Sequence, residues 1–153
     1  MKFVQINTHK AQLAAIELHN ELERVKEVAL ITEPYTYKNK IVGLPAGYEA
    51  FCGHGGEDGP PARAAILLPR SIPAVKLDQF CSRDSVILVI DTLSGKLIIG
   101  SIYLDIHLEV LQPWFERLLE HAENEGRRLL LGVDTNAHSQ LFGPFFCGER
   151  AHS

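Results

Sequence analysis

The sequence is short of cysteine, of net charge and of long apolar runs, and each shortage removes a class of protein. Cys52, Cys81 and Cys147 are its three cysteines, too few and odd in number to frame a disulfide-stapled fold. A formal net charge of −4, from 15 basic and 19 acidic residues, argues against broad electrostatic binding of nucleic acid and leaves room for a local basic rim. No apolar run reaches the ~18 residues of a membrane span, and no charged-then-apolar leader opens the chain. The expectation is a soluble intracellular protein, nuclear or cytoplasmic rather than secreted, with no membrane partner. What is present suits one domain over residues 1–153, and 46% of the residues are hydrophobic. A complete domain of this size buries about 68–70% of its unfolded surface, enough for a true core.

The pattern along the chain is mixed. Lys2 to Ile6 reads as a short strand ending at Asn7, and Thr8 can cap a helix that runs to about Lys26 on the stripe Ala11, Ala14, Leu18, Leu22 and Val25. Val28–Ile31 is a second apolar strand, so the opening is a βαβ unit with parallel strands. A long loop follows, including the glycine-rich segment Phe51–Pro61. Strands are then expected at Arg63–Leu68, Ala74–Leu77, Ser85–Ile90 and Lys96–Tyr103, joined as antiparallel hairpins. A helix over Pro113–Glu125, with Pro113 in its first turn and Phe115, Leu118, Leu119 and Ala122 as its apolar stripe, precedes a last strand at Arg128–Val133. No internal repeat is present. This is an α/β (α+β) pattern.

Four of these strands end in polar side chains: Asn7, Glu33, Tyr103, and Asp134 with Asn136 just beyond. If the strands are neighbours running the same way, their ends meet on one rim, where ligands of α/β proteins bind. Two carboxylates, two amides and a phenol suit a divalent metal and a phosphate, because magnesium takes oxygen ligands, keeps several waters and needs only one or two protein carboxylates. Glu33 is the leading metal ligand, with Asn7 holding the metal or a bound water. Asp134 could orient an attacking water, while Asn136 and Tyr103 donate to phosphate oxygens. Each residue also has a plainer reading: Asp134 and Asn136 as turn formers, Glu33 as a solvated strand end, Tyr103 as a half-buried sheet tyrosine.

An ordered set of motifs narrows the choice. Gln5-Ile6-Asn7, Ala29–Tyr35 (ALITEPY), Gly43-Leu44-Pro45, Ser82-Arg83-Asp84, Ser101–Leu104 (SIYL) and Gly132–His138 (GVDTNAH) follow one another along nearly the whole chain. In this order the sequence resembles the endonuclease/exonuclease/phosphatase superfamily, and within it the endonuclease domain of non-LTR (LINE-type) retrotransposons. The resemblance implies a four-layered α/β/β/α sandwich of the DNase I-like type and hydrolysis of a DNA phosphodiester dependent on Mg²⁺, or Mn²⁺ in its place. It implies a nick that primes reverse transcription, and a reverse transcriptase domain fused alongside. It places Glu33 and Asn7 at the metal, Tyr103 on the scissile phosphate, Asp134 on the nucleophilic water and Asn136 at the transition state, with His138 beside the site.

The sequence departs from the family at Thr32, where glutamine is usual, at Phe142 in Leu141-Phe142-Gly143, and in Gly148-Glu149-Arg150-Ala151. The family also continues into further strands and a Ser-Asp-His segment that this sequence does not contain. The resemblance therefore implies a domain incomplete at its C-terminus, nicking weakly or not at all. Other readings are another phosphoesterase of the superfamily, or a non-catalytic remnant that binds nucleic acid or protein. A zinc site from Cys52 with His54, or Cys147 with His152, matches no common ligand spacing. Gly53–Gly59 lacks a P-loop lysine and reads as a surface loop. His9, His19, His107 and His121 read as surface or helix-face residues. Lys38, Lys40, Arg63 and Arg83 could form a basic rim for DNA, although Lys38 and Lys40 suit ordinary solvated charge and Arg83 could instead pair with Asp84.

Overall fold

A computed structural model describes residues 1–54, 59–104 and 108–135. In chain order the elements are β1 (Phe3–Asn7), α1 (Gln12–Val25), β2 (Val28–Thr32), β3 (Tyr48–Cys52), β4 (Ala64–Pro69), β5 (Ala74–Lys76), β6 (Ser85–Thr92), β7 (Gly95–Tyr103), α2 (Leu108–Asn124) and β8 (Arg128–Asp134). The strands form two four-stranded sheets, ordered β1-β2-β4-β3 and β5-β6-β7-β8. No helix among the described residues is long and apolar enough to cross a membrane.

Side-chain alternation builds the layers. On β2 and β4, Val28, Leu30, Ala64, Ile66 and Leu68 meet Val86, Leu88, Ile90 and Ile99 of the other sheet. Their alternate neighbours Ala29, Ile31, Ala65 and Leu67 pack under Leu18 and Leu22 of α1. On the second sheet Ile87, Val89, Ile98, Ile102 and Val133 face outward against Leu111, Leu118 and Ala122 of α2. The order is helix, sheet, sheet, helix. Central strands buried on both faces are apolar at nearly every position, which is why they read as continuous runs rather than alternating ones. Each fully buried leucine or isoleucine contributes about 1.5–3 kcal/mol.

Four expectations are corrected. Thr8 does not cap α1: its hydroxyl donates to the Glu33 carbonyl at 2.8 Å, and the helix starts at Gln12 with no side-chain cap. Strand β3 lies inside the expected loop, where five residues among glycines gave too weak a signal; it pairs antiparallel with β4. β4 and β5 are not a hairpin but lie in different sheets, since neither Pro69 nor Pro73 has an N–H to donate to a continuing ladder. α2 begins at Leu108 and carries Pro113 inside it; Leu111, outside the expected span, is part of the face that packs on the sheet, while Leu119 is 53% exposed.

Parallel pairing of β1 with β2 is as expected from the βαβ reading, and β7 pairs parallel with β8. β4 runs antiparallel to β2, and β6 antiparallel to β7. The C-terminal ends of β1, β2, β7 and β8 therefore share one rim with the N-terminal ends of β4 and β6.

Gly53 shows how tightly that rim is packed. A Cβ there would lie 2.0 Å from the Ser82 carbonyl oxygen and 2.1 Å from that of Ser85, both backbone atoms. Gly53→Ala is expected to cost about 3 kcal/mol, lowering Tm by about 2–4 °C per kcal/mol for a domain of this size. An unchanged thermal melt would show that the loop does not depend on this close approach.

Candidate functional site

Two sheets rarely meet through polar groups, because an unpaired donor or acceptor between them is costly. Here the polar groups sit at the strand ends and pair across the gap. On β8, Gly132 and Asp134 project toward the first sheet. A Cβ on Gly132 would lie 3.0 Å from Leu30 and 3.2 Å from Gln5. One layer further on, Asp134 meets Asn7 and Thr32, which are register partners in β1 and β2. Asn7 Nδ2 donates to Asp134 Oδ2 at 2.6 Å, and the Thr32 hydroxyl donates to the same oxygen at 2.8 Å. The Ser101 hydroxyl, also between the sheets, donates to the Ile31 carbonyl at 2.8 Å.

Glu33 follows directly on Thr32. Its backbone is left-handed, φ 48°, and is fixed on both sides: its amide donates to the Arg63 carbonyl at 2.9 Å, and its carbonyl accepts from the Lys10 amide at 2.8 Å. The Glu33 carboxylate is 20% exposed and lies 3.4 Å from His9 Nδ1. Asn7 Oδ1 accepts from the His9 amide at 2.7 Å. His9 is thus part of the rim rather than an ordinary surface histidine.

The other side of the rim is organised by Arg63. Its Nε and Nη2 donate to the two carboxylate oxygens of Asp84 at 2.6 and 2.8 Å, the bidentate geometry that a planar guanidinium favours. Its guanidinium carbon lies 4.8 Å from the Tyr103 ring centre, within cation–π range. The expected Arg83–Asp84 pair is therefore an Arg63–Asp84 pair. Arg83 turns away and donates to the Pro61 carbonyl at 2.7 Å, because its own carbonyl already accepts from the Arg63 amide at 2.8 Å and fixes the turn. The backbone completes the arc, with the Tyr103 amide on the Asp84 carbonyl and the Leu104 amide on the Asp134 carbonyl, both 2.8 Å. A cleft of about 310 Å³ opens beside Tyr103, with Asp84, Leu111 and Trp114 in its wall.

Asn7, Glu33, Tyr103 and Asp134 thus converge, as their strand-end positions suggested, and Arg63 joins them from just before β4. Arg83 stands apart. Asn136, His138, His107 and the Cys147/His152 pair lie outside the described residues. Thr32 and His9 are the residues that sequence reasoning missed. Thr32 is 1% exposed, and its place at the end of an apolar strand, pairing with Asn7, was the available signal. His19 is a buried helix residue, its Nδ1 2.7 Å from the Gly43 carbonyl oxygen.

The residues fit a hard divalent cation. Such an ion needs one or two carboxylates and completes its shell with water. Glu33 supplies a carboxylate, and Asn7 Oδ1 is an amide oxygen with a second lone pair. No cluster of three or more His, Cys, Asp or Glu that could hold a metal ion occurs among the described residues. Burial pushes the Cys52 and Cys81 thiols above their usual range, which disfavours either as a ready thiolate ligand.

The chain is similar to the solved endonuclease domain of TRAS1, a telomere-specific non-LTR retrotransposon, at 26% identity and a TM-score of 0.70 over 93% of this chain and 62% of that one. It is also similar to humanized D. rerio TDP2, at 14% identity and a TM-score of 0.61 over 90% of this chain and 63% of that one. The human Nocturnin catalytic domain matches at 11% identity and a TM-score of 0.60, over 92% of this chain and 65% of that one. The last two likenesses concern the fold alone. All three proteins are members of the endonuclease/exonuclease/phosphatase superfamily, the one that the ordered motifs resembled. The chain spans less than two thirds of the length of each. No family model and no curated protein matches it.

The cross-sheet contact gives a direct test. Thr32→Val removes the hydroxyl on Asp134 at nearly constant volume and is expected to destabilise the domain by about 1–3 kcal/mol. Thr32→Ser should restore most of the loss. In a double-mutant cycle with Asp134→Ala, measured by urea unfolding, the two positions should couple by about 1 kcal/mol or more; additive effects would show that the contact is energetically idle.

Proposed function

From the premise that this chain carries the endonuclease/exonuclease/phosphatase fold, we propose that it is a metal-dependent phosphodiesterase acting on DNA, of the nicking kind that accompanies a non-LTR reverse transcriptase. The observation that supports the reading best is the meeting of Asn7, Thr32 and Asp134 across the two sheets, next to the Glu33 carboxylate. The likeness to the TRAS1 endonuclease domain favours this class, and D. rerio TDP2, 18% identical over 90% of this chain, was solved with a single-stranded DNA product.

The chain's own residues have separable tasks. Glu33 would hold a divalent cation, Mg²⁺ or Mn²⁺, with Asn7 Oδ1 beside it. When bound, that ion supplies charge to polarise the phosphoryl group and stabilise the leaving oxygen. Asn7 and Thr32 fix the rotation of the Asp134 carboxylate by holding Oδ2. Oδ1 has no partner among the described residues and would accept a hydrogen bond from a water, aligning it for attack. Tyr103, held under the Arg63 guanidinium, would donate its phenolic proton in a hydrogen bond to a phosphate oxygen. Asn136 would donate to the charge that develops there, with His138 alongside. Arg63, its guanidinium already shared with Asp84, and Arg83 are the cations from which a DNA backbone would draw contacts.

Supercoiled plasmid incubated with the purified chain and Mg²⁺ is expected to be nicked slowly, and Glu33→Gln to abolish the nicking. Loss of one member of a catalytic unit commonly removes most of its rate, so Asp134→Asn should fall by about 10³-fold or more. Nicking that persists undiminished in Glu33→Gln refutes the metal assignment. A wild-type chain that neither nicks DNA nor binds it in the presence of Mg²⁺ refutes the function.

A further inference from the structure

We propose that His9 is a second ligand of the cation assigned to Glu33, a nitrogen ligand that shifts the site from Mg²⁺ toward first-row transition ions. The inference rests on the reading above, that Glu33 holds a divalent cation.

Three observations carry it. The first is distance. His9 Nδ1 and Glu33 Oε2 are 3.4 Å apart, close enough for both to hold one ion. The second is access. The His9 side chain is 79% exposed, so its imidazole meets solvent ions without a desolvation cost. The third is the backbone. His9 and Lys10 both take left-handed conformations, φ 52° and 57°, which non-glycine residues adopt at a cost. The Asn7 side chain and the Glu33 carbonyl hold the turn in place through the His9 and Lys10 amides. Those bonds hold the imidazole beside the Glu33 carboxylate, where both can reach one ion.

The chemistry of the donor then sets the preference. Magnesium takes oxygen ligands and gives up its waters reluctantly, whereas imidazole is a good ligand for transition ions, in the order Mn²⁺ < Co²⁺ < Ni²⁺. With Glu33 alone the site would discriminate weakly among these ions. With His9 added, the gain over Mg²⁺ grows along the series.

The test is isothermal titration of the whole chain with Mg²⁺, Mn²⁺, Co²⁺ and Ni²⁺ at about pH 8, where ordinary imidazole is neutral and able to ligate. His9→Asn is the variant of choice, because asparagine tolerates the left-handed backbone; a thermal melt confirms that it is folded. The wild type should bind Ni²⁺ and Co²⁺ more tightly than Mg²⁺. His9→Asn should weaken Ni²⁺ by about tenfold or more while leaving Mg²⁺ within about twofold, and Glu33→Gln should weaken every ion. Co²⁺ should also shift the His9 ring resonances in the proton spectrum of the wild type. Equal losses for Mg²⁺ and Ni²⁺ in His9→Asn, or no loss for either, overturn the proposal while leaving Glu33 as a metal residue. Ni²⁺ binding unchanged in Glu33→Gln also overturns it, because His9 would then bind on its own. A wild type that binds none of the four ions overturns both this inference and the metal reading beneath it.

Discussion

Asp134 Oδ2 accepts two hydrogen bonds from the opposite sheet, one from an amide and one from a hydroxyl. The rest of the rim is arranged around that junction. The apolar side chains between the sheets set spacing but not direction. Two donors aimed at one oxygen fix both where the carboxylate sits and how it is rotated. Gly132, one layer below, permits the approach, since a Cβ there would press on Leu30 and Gln5. A small residue in the core and a polar contact at the rim are thus parts of one device: the first brings the sheets together, and the second uses the closeness.

The opposite side of the rim is built on a different principle. Arg63 forms a fork with Asp84 and covers the Tyr103 ring, so a guanidinium holds one acidic and one aromatic side chain at once. The turn carrying Arg83 and Asp84 joins the two sheets through backbone bonds to Arg63 and Tyr103. Ser82-Arg83-Asp84 therefore works as a bridge. Its backbone carbonyls and one carboxylate do the joining, while the Arg83 side chain points elsewhere.

Most of the architecture was legible because buried strands must be apolar and must stop where water begins. Asn7, Glu33, Tyr103 and Asp134 mark those stops, and their convergence follows from parallel pairing of β1 with β2 and of β7 with β8. What could not be read was anything fixed by contacts distant in sequence. Thr32 looked like a departure from a motif, and only its position opposite Asp134, 102 residues away, gives its hydroxyl a role. His9 looked like a surface residue because nothing local reveals that the turn after β1 folds over the end of β2. Arg63 and Arg83 are indistinguishable as isolated cations, and the direction of one turn decides which meets Asp84. β3 escaped notice because an edge strand of five residues owes its form to β4 rather than to its own sequence.

The strands that carry Asn7 and Asp134 are each outermost in their sheets among the described strands. Every residue of β1 is only partly buried, whereas β2 beside it is buried throughout. A strand laddered on one side separates at a lower free energy than one held on both, so among the described strands amides of β1 and β8 are expected to exchange before those of β2 and β7. The lifetime of the Asn7–Asp134 clasp is then a property of two margins rather than of the whole domain. Substitutions deep between β2, β4 and β6 can change the melting temperature while hardly changing how often the clasp is shut.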